Sequence, residues 1–165
     1  MANDLLISWL NDAYAMEQAL IPVLQNHAKD ADKEMPEAAD RIRRHIEETQ
    51  MHVDRIGQCL TQLGTTPSAV KTAMASVLGT VQSVMTGMFS DEMVKNALGD
   101  YGAEQFEVAA YTALVAAADE LGEDEIARLC EQNLREDQLM AAWLEQQIPT
   151  VVAQTIMKRS SSTRR

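Results

Sequence analysis

Glutamates recur in this sequence at positions where the surrounding pattern is that of a buried helix face. Glu17 and Glu107 lie 90 residues apart, in the similar segments Met-Glu-Gln-Ala-Leu and Phe-Glu-Val-Ala-Ala, and Glu48 and Glu136 lie 88 residues apart. A carboxylate on an apolar stripe costs several kcal/mol of lost solvation unless a partner neutralises it. The repeat therefore predicts four helices, each with one inward carboxylate, in an all-α four-helix bundle that can enclose two metal ions.

The composition agrees with a helical globular protein of one domain. Of the 165 residues, 46% are apolar, 24% are charged and only 4% are aromatic, and this length is enough for one domain with its own core. Abundant Ala, Leu, Gln, Glu and Met favour helices because these side chains lose little rotamer freedom there. The formal net charge of −11 argues against a nucleic-acid groove, which has to attract phosphates, and is compatible with attracting cations.

The sequence gives no sign of membrane insertion or export. No apolar run is long enough to span a bilayer, and the start, Met-Ala-Asn-Asp, lacks the pattern of a signal peptide. Cys59 and Cys130 fall inside predicted helices without a Cys-x-x-Cys motif, so we interpret them as reduced thiols in the core. These features predict a cytoplasmic protein without membrane or nucleic-acid partners.

Periodicity and helix-end signals define the four helices. Apolar residues at spacings of three and four, with Pro at a helix start and Gly at a helix end, give their limits. Ser90, followed by two acidic residues, is the expected N-cap of the third helix. Pro149 is expected to interrupt the fourth helix, with room for a further turn or two after it. The predicted helices span about residues 3–33, 36–64, 90–122 and 123–147.

The lengths of the connections predict the topology. The first and last connections are very short, so each flanking pair of helices is an antiparallel hairpin. The connection over residues 65–89 is about 25 residues long, too long for a structureless loop, so we expect a crossover that contains short helices. The predicted domain covers 1–157, and residues 158–165, with three serines and four basic residues, are expected to form a disordered tail.

The second predicted helix carries a face rich in histidine and glutamate. His45, Glu48 and His52 follow one another at spacings of three and four, so their side chains lie on one side of the helix. Imidazole and carboxylate on adjacent turns can bind one iron, manganese or zinc ion. The alternative interpretation is a partly buried Glu–His hydrogen bond without a metal.

The third predicted helix presents Glu104, Glu107 and Tyr111 on one face among apolar neighbours. Carboxylates in such surroundings need a partner, which a metal ion would supply. Tyr111 either donates a hydrogen bond to a ligand carboxylate or packs in the core with its hydroxyl at the rim.

The fourth predicted helix breaks the symmetry of the repeat. Glu136 aligns with Glu48, but Met140 stands at the position that matches His52. A thioether is a poor ligand for a hard cation. A second ion would therefore take water, Glu104 or His45 instead, or would bind weakly.

Three segments resemble the YciE/YciF-type ferritin-like proteins, a bacterial family associated with stress responses. They are Leu-Asn-Asp-Ala-Tyr-Ala-Met-Glu at 10–17, His-Ile-Glu-Glu-Thr-Gln-Met-His at 45–52 and Glu-Gln-Phe-Glu-Val-Ala-Ala-Tyr at 104–111. The resemblance covers about residues 4–150 and implies a ferritin-like bundle, often dimeric, with two divalent metal ions, iron first and manganese as the alternative. The ligands that it implies are Glu17, Glu48, His52, Glu107 and Glu136, with His45, Glu104 and Tyr111 as further candidates, either ligands or partners of ligands.

Two functions remain open at this point. In the first, the protein is a stress-associated di-metal carboxylate protein that acts on peroxide or dioxygen or oxidises ferrous iron, since paired ions can share a two-electron reaction. In the second, it is a non-enzymatic dimeric helical scaffold whose metal site is weak or vestigial. Iron storage in a cage ranks below both, because the sequence shows no dedicated assembly feature.

Overall fold

A computed structural model describes residues 2–67 and 91–162, and these form four helices with no strand among them. The predicted all-α fold is confirmed. The helices are α1 (Ala2–Ala31), α2 (Pro36–Gln62), α3 (Glu92–Leu121) and α4 (Asp124–Ser162). None of these helices has a stretch apolar enough and long enough to cross a bilayer.

The helices pack as two hairpins side by side. α1 contacts α2 and α3, and α4 contacts α2 and α3, so α1 and α4 lie on one diagonal of the bundle and α2 and α3 on the other. Two contacts between α1 and α3 show their relative direction. Glu17 contacts Tyr111, and His27, which comes later in α1, contacts Asp100, which comes earlier in α3. α1 and α3 are therefore antiparallel, which makes α2 and α3 parallel.

This topology explains the long middle connection. Because α2 and α3 are parallel, the end of α2 and the start of α3 lie at opposite ends of the bundle, about 40 Å apart for a helix of this length. The connection therefore has to span the bundle, as the sequence predicts for a crossover. The short helices that we expect in it fall on residues outside the described ranges.

Helix ends follow the sequence signals with one shift. Pro36 opens α2, and Gly64 and Gly122 follow α2 and α3 with φ of 73° and 70°, the left-handed conformation that glycine adopts at little cost. The N-cap of α3 is Asp91, whose carboxylate accepts a hydrogen bond from the Val94 N–H at 3.2 Å, so the predicted cap at Ser90 is one residue too early. A carboxylate at this position also suits the positive end of the helix.

α4 continues past the point where the sequence predicts its end. Pro149 removes one backbone hydrogen bond but occupies an exposed position, where water can satisfy the freed carbonyl. Beyond it, Val151 is buried and Thr155 Oγ1 donates a hydrogen bond to Asp91 Oδ1 at 3.2 Å. Lys158 forms an ion pair with Glu34. These contacts keep the helix intact to Ser162, so residues 158–162 are helical rather than a disordered tail; the last three residues lie outside the described ranges.

The apolar core consists of two clusters with a polar layer between them. One cluster lies toward the start of α1 and the other toward its end, and each takes residues from several helices. The first includes Leu6, Leu10, Met16, Ile56, Leu60, Leu114 and Ile126, and the second includes Leu24, Ala28, Ala39, Ile42, Met140 and Leu144. The layer between them holds the buried carboxylates and imidazoles.

Candidate metal centre

Buried stripes on α2 and α4 decide which side chains enter the polar layer. In each stripe the residues follow at spacings of three or four and are buried: Ile42, His45, Thr49, His52, Ile56 and Cys59 on α2, and Ile126, Cys130, Asn133, Asp137, Met140 and Leu144 on α4. Glu48 and Glu136 are each one residue off the stripe, and their side chains are 28% and 24% exposed. The repeat therefore aligns Glu48 with Glu136, but both side chains lie nearer the surface than the inward position that the repeat predicts.

One group of possible ligands comprises Glu17, His52 and Asp137, from α1, α2 and α4. All three are fully buried, and one ligand atom from each lies within 4.8 Å of the others. His52 Nδ1 is 3.2 Å from Glu17 Oε1 and 3.5 Å from Asp137 Oδ1. We call this group site 1.

A second group comprises His45, Glu104 and Asp137, again with ligand atoms within 4.8 Å of one another. His45 Nε2 is 2.7 Å from Glu104 Oε1, and both side chains are 2% exposed. We call this group site 2. Asp137 belongs to both sites, so it is the carboxylate that would be common to ions held in them.

Several carboxylate oxygens in the layer have no hydrogen-bond partner among the residues that the structure describes. They are Glu17 Oε2, Glu104 Oε2 and both oxygens of Asp137, all fully buried. Buried acceptors without donors are uncommon because each one loses its hydration without replacement. Cations in the two sites would supply the missing partners, so the donor set fits metal ions. Carboxylates with imidazoles suit iron and manganese, and also zinc.

Each histidine uses its second nitrogen to bind an outer glutamate. His45 Nδ1 lies 2.8 Å from Glu48 Oε2, and His52 Nε2 lies 2.8 Å from Glu136 Oε2. Each outer glutamate also pairs with an arginine: Arg41 reaches Glu48 at 3.2 Å, and Arg55 reaches Glu136 at 2.7 Å. Carboxylates in this position orient a metal-binding imidazole and raise its basicity.

The carboxylates keep both imidazoles protonated when no metal is bound. Burial alone would lower their pKa values, but hydrogen bonds to carboxylates outweigh it and raise the pKa of His45 to about 9 and that of His52 to about 10. Burial would likewise raise the pKa of Glu136, yet the bonds from His52 and Arg55 bring it down to about 2. With a carboxylate at each nitrogen, both rings donate two hydrogen bonds, as imidazolium does.

Two of the inner carboxyl groups resist ionisation. Burial, followed by the nearby charge of Glu17, raises the pKa of Glu107 well above its usual value, and the two carboxyl groups share a hydrogen bond. Burial also raises the pKa of Asp137 well above its usual value, against the attraction of His52. Protons therefore neutralise, in part, a volume that two divalent cations would neutralise fully.

The polar layer brings together most of the residues predicted from the sequence. Glu17 and His52 are in site 1, His45 and Glu104 in site 2, and Glu107 and Tyr111 both contact Glu17. Glu48 and Glu136 lie at the edge as partners of the histidines. Asp137 is the residue that the sequence analysis missed, although its place on the α4 stripe with Cys130, Asn133 and Met140 marks it as inward.

Comparisons with known proteins agree with this architecture. A protein of known structure from Xanthomonas campestris is 32% identical, with 97% of this chain and 99% of that chain aligned and a TM-score of 0.83. The Escherichia coli stress protein YciF is 20% identical over 93% of this chain and 98% of that chain, with a TM-score of 0.79. These likenesses agree with the YciE/YciF-type resemblance found in the sequence.

A bacterioferritin also shares the fold. The protein from Desulfovibrio desulfuricans, whose structure was described for its di-iron site in different catalytic states, is 20% identical over 92% of this chain and 82% of that chain, with a TM-score of 0.75. The predicted ferritin-like four-helix bundle is thus confirmed. The family model described as "Domain of unknown function (DUF892)" matches residues 1–157, and the chain belongs to this family, of the YciF type.

Proposed function

We propose that this protein binds two divalent metal ions, iron by preference and manganese as the alternative, and acts as a di-metal carboxylate protein of the stress response. The observation that carries the proposal is Asp137, which belongs to both sites and whose two buried oxygens accept no hydrogen bond from the described residues. A carboxylate common to two ligand groups suits a pair of neighbouring ions, as in carboxylate-rich di-metal bundles.

The charges in the layer support two ions rather than one. Four carboxyl groups are buried there: Glu17, Glu104, Glu107 and Asp137. Two divalent cations would balance four carboxylates while both imidazoles are neutral, the form in which histidine binds metals. With one ion, the other two carboxyl groups would have to keep protons or pair with an imidazolium group.

The protein's own groups have distinct roles in this proposal. Glu17, His52 and Asp137 would hold one ion, and His45, Glu104 and Asp137 the other. Glu48 and Glu136 hold the imidazoles in place, and the two apolar clusters exclude water from the layer. Bound iron would supply the redox chemistry, with peroxide, dioxygen or ferrous iron as the reactant.

Anaerobic titration with ferrous iron, followed by ion counting, tests the proposal. The wild type is expected to bind two ions per chain, and Asp137→Asn is expected to bind one or none because it removes the shared charge. A wild type that binds no ion after metal-free purification would support the scaffold alternative instead. Stopped-flow oxidation of the loaded protein by hydrogen peroxide and by dioxygen would then identify the oxidant.

The scaffold alternative has its own support in the charges. Imidazolium groups of His45 and His52 already neutralise part of the layer, so the fold has a stable state without metal. The ion count decides between the two functions because a scaffold needs no stoichiometric metal.

The proposal also includes a homodimer in the cytoplasm. The family resemblance implies the dimer, and the free, buried thiols of Cys59 and Cys130 suit a reducing compartment. Light scattering on the purified protein would give the oligomeric state, and a monomer at micromolar concentration would contradict the first part.

A further inference from the structure

The hydrogen bonds around site 1 and site 2 are unequal, although the sequence repeat relates the two halves of the chain. Around site 1 a closed ring of hydrogen bonds takes side chains from all four helices. Around site 2 the corresponding bonds between described residues come from α2 and α3. The members of the ring are Glu17, His52, Arg55, Tyr111, Asn133 and Glu136.

The ring begins at a partly buried arginine and reaches the centre through two neutral side chains. Arg55 Nη1 donates to Asn133 Oδ1 at 2.8 Å, and Asn133 Nδ2 donates to the Tyr111 hydroxyl at 2.9 Å. The Tyr111 hydroxyl donates to Glu17 Oε1 at 2.5 Å. The bonds to Glu17 from Tyr111 and from His52 both use Oε1, so the ring fixes one oxygen of the carboxylate, while Glu17 Oε2 takes no hydrogen bond from the ring and is left for an ion.

The ring closes through the histidine of site 1. His52 binds Glu17 with Nδ1 and Glu136 with Nε2, and Arg55 holds Glu136 with both of its terminal nitrogens, at 2.7 and 3.1 Å. A two-point contact between guanidinium and carboxylate fixes orientation as well as distance. Both Glu17 and His52 are therefore held in their present orientation before any ion arrives.

Site 2 has no comparable ring within residues 2–67 and 91–162. Its imidazole contacts Glu104 with one nitrogen and Glu48 with the other, and Arg41 contacts Glu48 with a single nitrogen at 3.2 Å. Thr49 occupies the position on α2 that matches Asp137 on α4. Its hydroxyl donates a hydrogen bond to the backbone carbonyl of His45 at 3.0 Å. In α4, Met140 occupies the position that matches His52, so the repeat supplies no further histidine there.

We propose that Arg55, Asn133 and Tyr111 are positioning residues that make site 1 the tighter of the two metal sites, so that it fills first. The inference rests on the proposed function. Ligands that are already held in the binding orientation lose less conformational freedom when an ion binds, and partners of this kind change metal affinity by about 10–100-fold. Site 2, with fewer fixed ligands, bears more of the ordering cost.

Anaerobic titration with Co²⁺ tests this, with ion binding followed by calorimetry and by the visible absorption of bound cobalt. The wild type is expected to show two steps whose dissociation constants differ by about tenfold or more. Tyr111→Phe, which removes only the hydroxyl, and Asn133→Leu, which breaks the ring at similar volume, are expected to weaken the first step by about 10–100-fold and to leave the second nearly unchanged.

Arg41→Gln is the matched control, because it removes the arginine of the other outer pair. It is expected to weaken the second step and to leave the first unchanged. Arg55→Lys is expected to recover part of the tight first step that Arg55→Gln loses, which a general loss of folding would not produce. Circular dichroism without metal verifies that each variant is folded.

The outcomes separate the inference from the proposed function. Two equal steps in the wild type, or ring variants that weaken both steps alike, would overturn the inference while two bound ions still support the proposed function. Binding of no cobalt and no ferrous iron by the wild type would overturn both.

Discussion

At the scale of single residues, Asp137 shows that a fold can bury a carboxyl group without giving its oxygens a hydrogen-bond donor. Its buried side chain belongs to the ligand groups of both His45 and His52, and neither of its oxygens accepts a hydrogen bond from the part of the chain that the structure describes. Burial favours such a group in its protonated form or as a metal ligand, and disfavours the free carboxylate. The same site thus costs stability in the absence of metal and provides affinity in its presence.

Substitutions at Asp137, a proposed metal ligand, and at Glu136, which holds the His52 imidazole, should have different effects on stability. Asp137→Asn is expected to raise the stability of the metal-free protein, or to leave it within about 1 kcal/mol, because it removes a buried ionisable group whose burial is offset only in part by the charges of the two imidazolium groups. Glu136→Gln is expected to lower that stability by about 1–3 kcal/mol, because it weakens the bonds from His52 and Arg55. Chemical denaturation of both metal-free variants gives the comparison, and equal losses would contradict the distinction drawn here.

The sequence predicts which residue types meet, but not which of two adjacent carboxylates is inward. Glu48 and Glu136 align with each other in the repeat, and both lie one position off a buried stripe, so the repeat alone cannot reveal their depth. The periodicity of α4 contains that information, because Asp137 shares the stripe of Asn133 and Met140. Which oxygens remain unpartnered depends on contacts between helices, and no local pattern encodes these.

A second residue-scale effect lies outside the metal centre. His27 Nδ1 lies 2.6 Å from Asp100 Oδ1 and links α1 to α3, with Asp30 and Glu92 nearby. Burial lowers the pKa of His27, but the bond to Asp100 outweighs it, so the pKa is raised above 6.5. Its polar neighbours in the sequence predict a solvated side chain, but only 16% of the side chain is exposed.

The raised pKa of His27 fixes the sign of a pH effect. A group with a raised folded-state pKa contributes stability that is full below the unfolded pKa near 6.5 and is lost as the pH rises through the folded value. His27→Gln is therefore expected to cost about 1–3 kcal/mol at pH 6 and clearly less at pH 9. Urea denaturation at the two pH values measures this, and a cost independent of pH would show that the imidazolium plays no part.

At the scale of elements, glycine has opposite effects at two places in and after α3. Gly122 ends the helix with φ of 70°, in a conformation that a side chain disfavours, whereas Gly102 lies inside the helix, is exposed and has open space around its Cβ direction. The first needs its conformational freedom, and the second only weakens its helix.

These two glycines form a matched pair for substitution. Gly122→Ala is expected to lower the stability by about 1 kcal/mol because alanine is strained in the left-handed region, and Gly102→Ala is expected to raise it by about 0.5–1 kcal/mol. Thermal unfolding of both variants under one condition gives the signs. A gain at Gly122 would mean that the α3–α4 turn can relax away from the left-handed conformation.

Helices were predictable here wherever a local signal decides the outcome. Pro36, Gly64 and Gly122 marked helix ends because their backbone preferences act within one turn. Pro149 does not interrupt α4, although its local preference is to stop a helix. Contacts of Val151, Thr155 and Lys158 with distant parts of the chain override that preference. Packing energy of that kind cannot be read from the residues next to the proline.

At the scale of the whole molecule, metal and protons compete for one interior. Ions need neutral imidazoles and ionised carboxylates, but the pKa values of His45 and His52, about 9 and 10, and the raised pKa values of Glu107 and Asp137 favour the protonated forms near neutral pH. Metal binding therefore has to release protons, and a higher pH favours it.

This competition predicts how metal stabilises the fold. An ion at about 100 times its dissociation constant adds about 2.7 kcal/mol, which raises the melting temperature of a protein this size by about 5–10 °C. At a fixed concentration of Mn²⁺ the rise is expected to be larger at pH 8 than at pH 6, with proton release detectable by a pH indicator in weak buffer. A larger rise at pH 6 would mean that binding does not displace these protons.

The hydrogen-bond ring also has a consequence for how the chain assembles. Each hairpin can form from local contacts, but the ring closes only when α1, α2, α3 and α4 meet in one register. A hairpin that docks one turn out of place would bury Glu17 and Arg55 without partners, at a cost of several kcal/mol. Apolar packing alone would tolerate such a slip far better. Since the ring forms without a bound ion and protons neutralise part of the layer, this selection of register does not depend on metal.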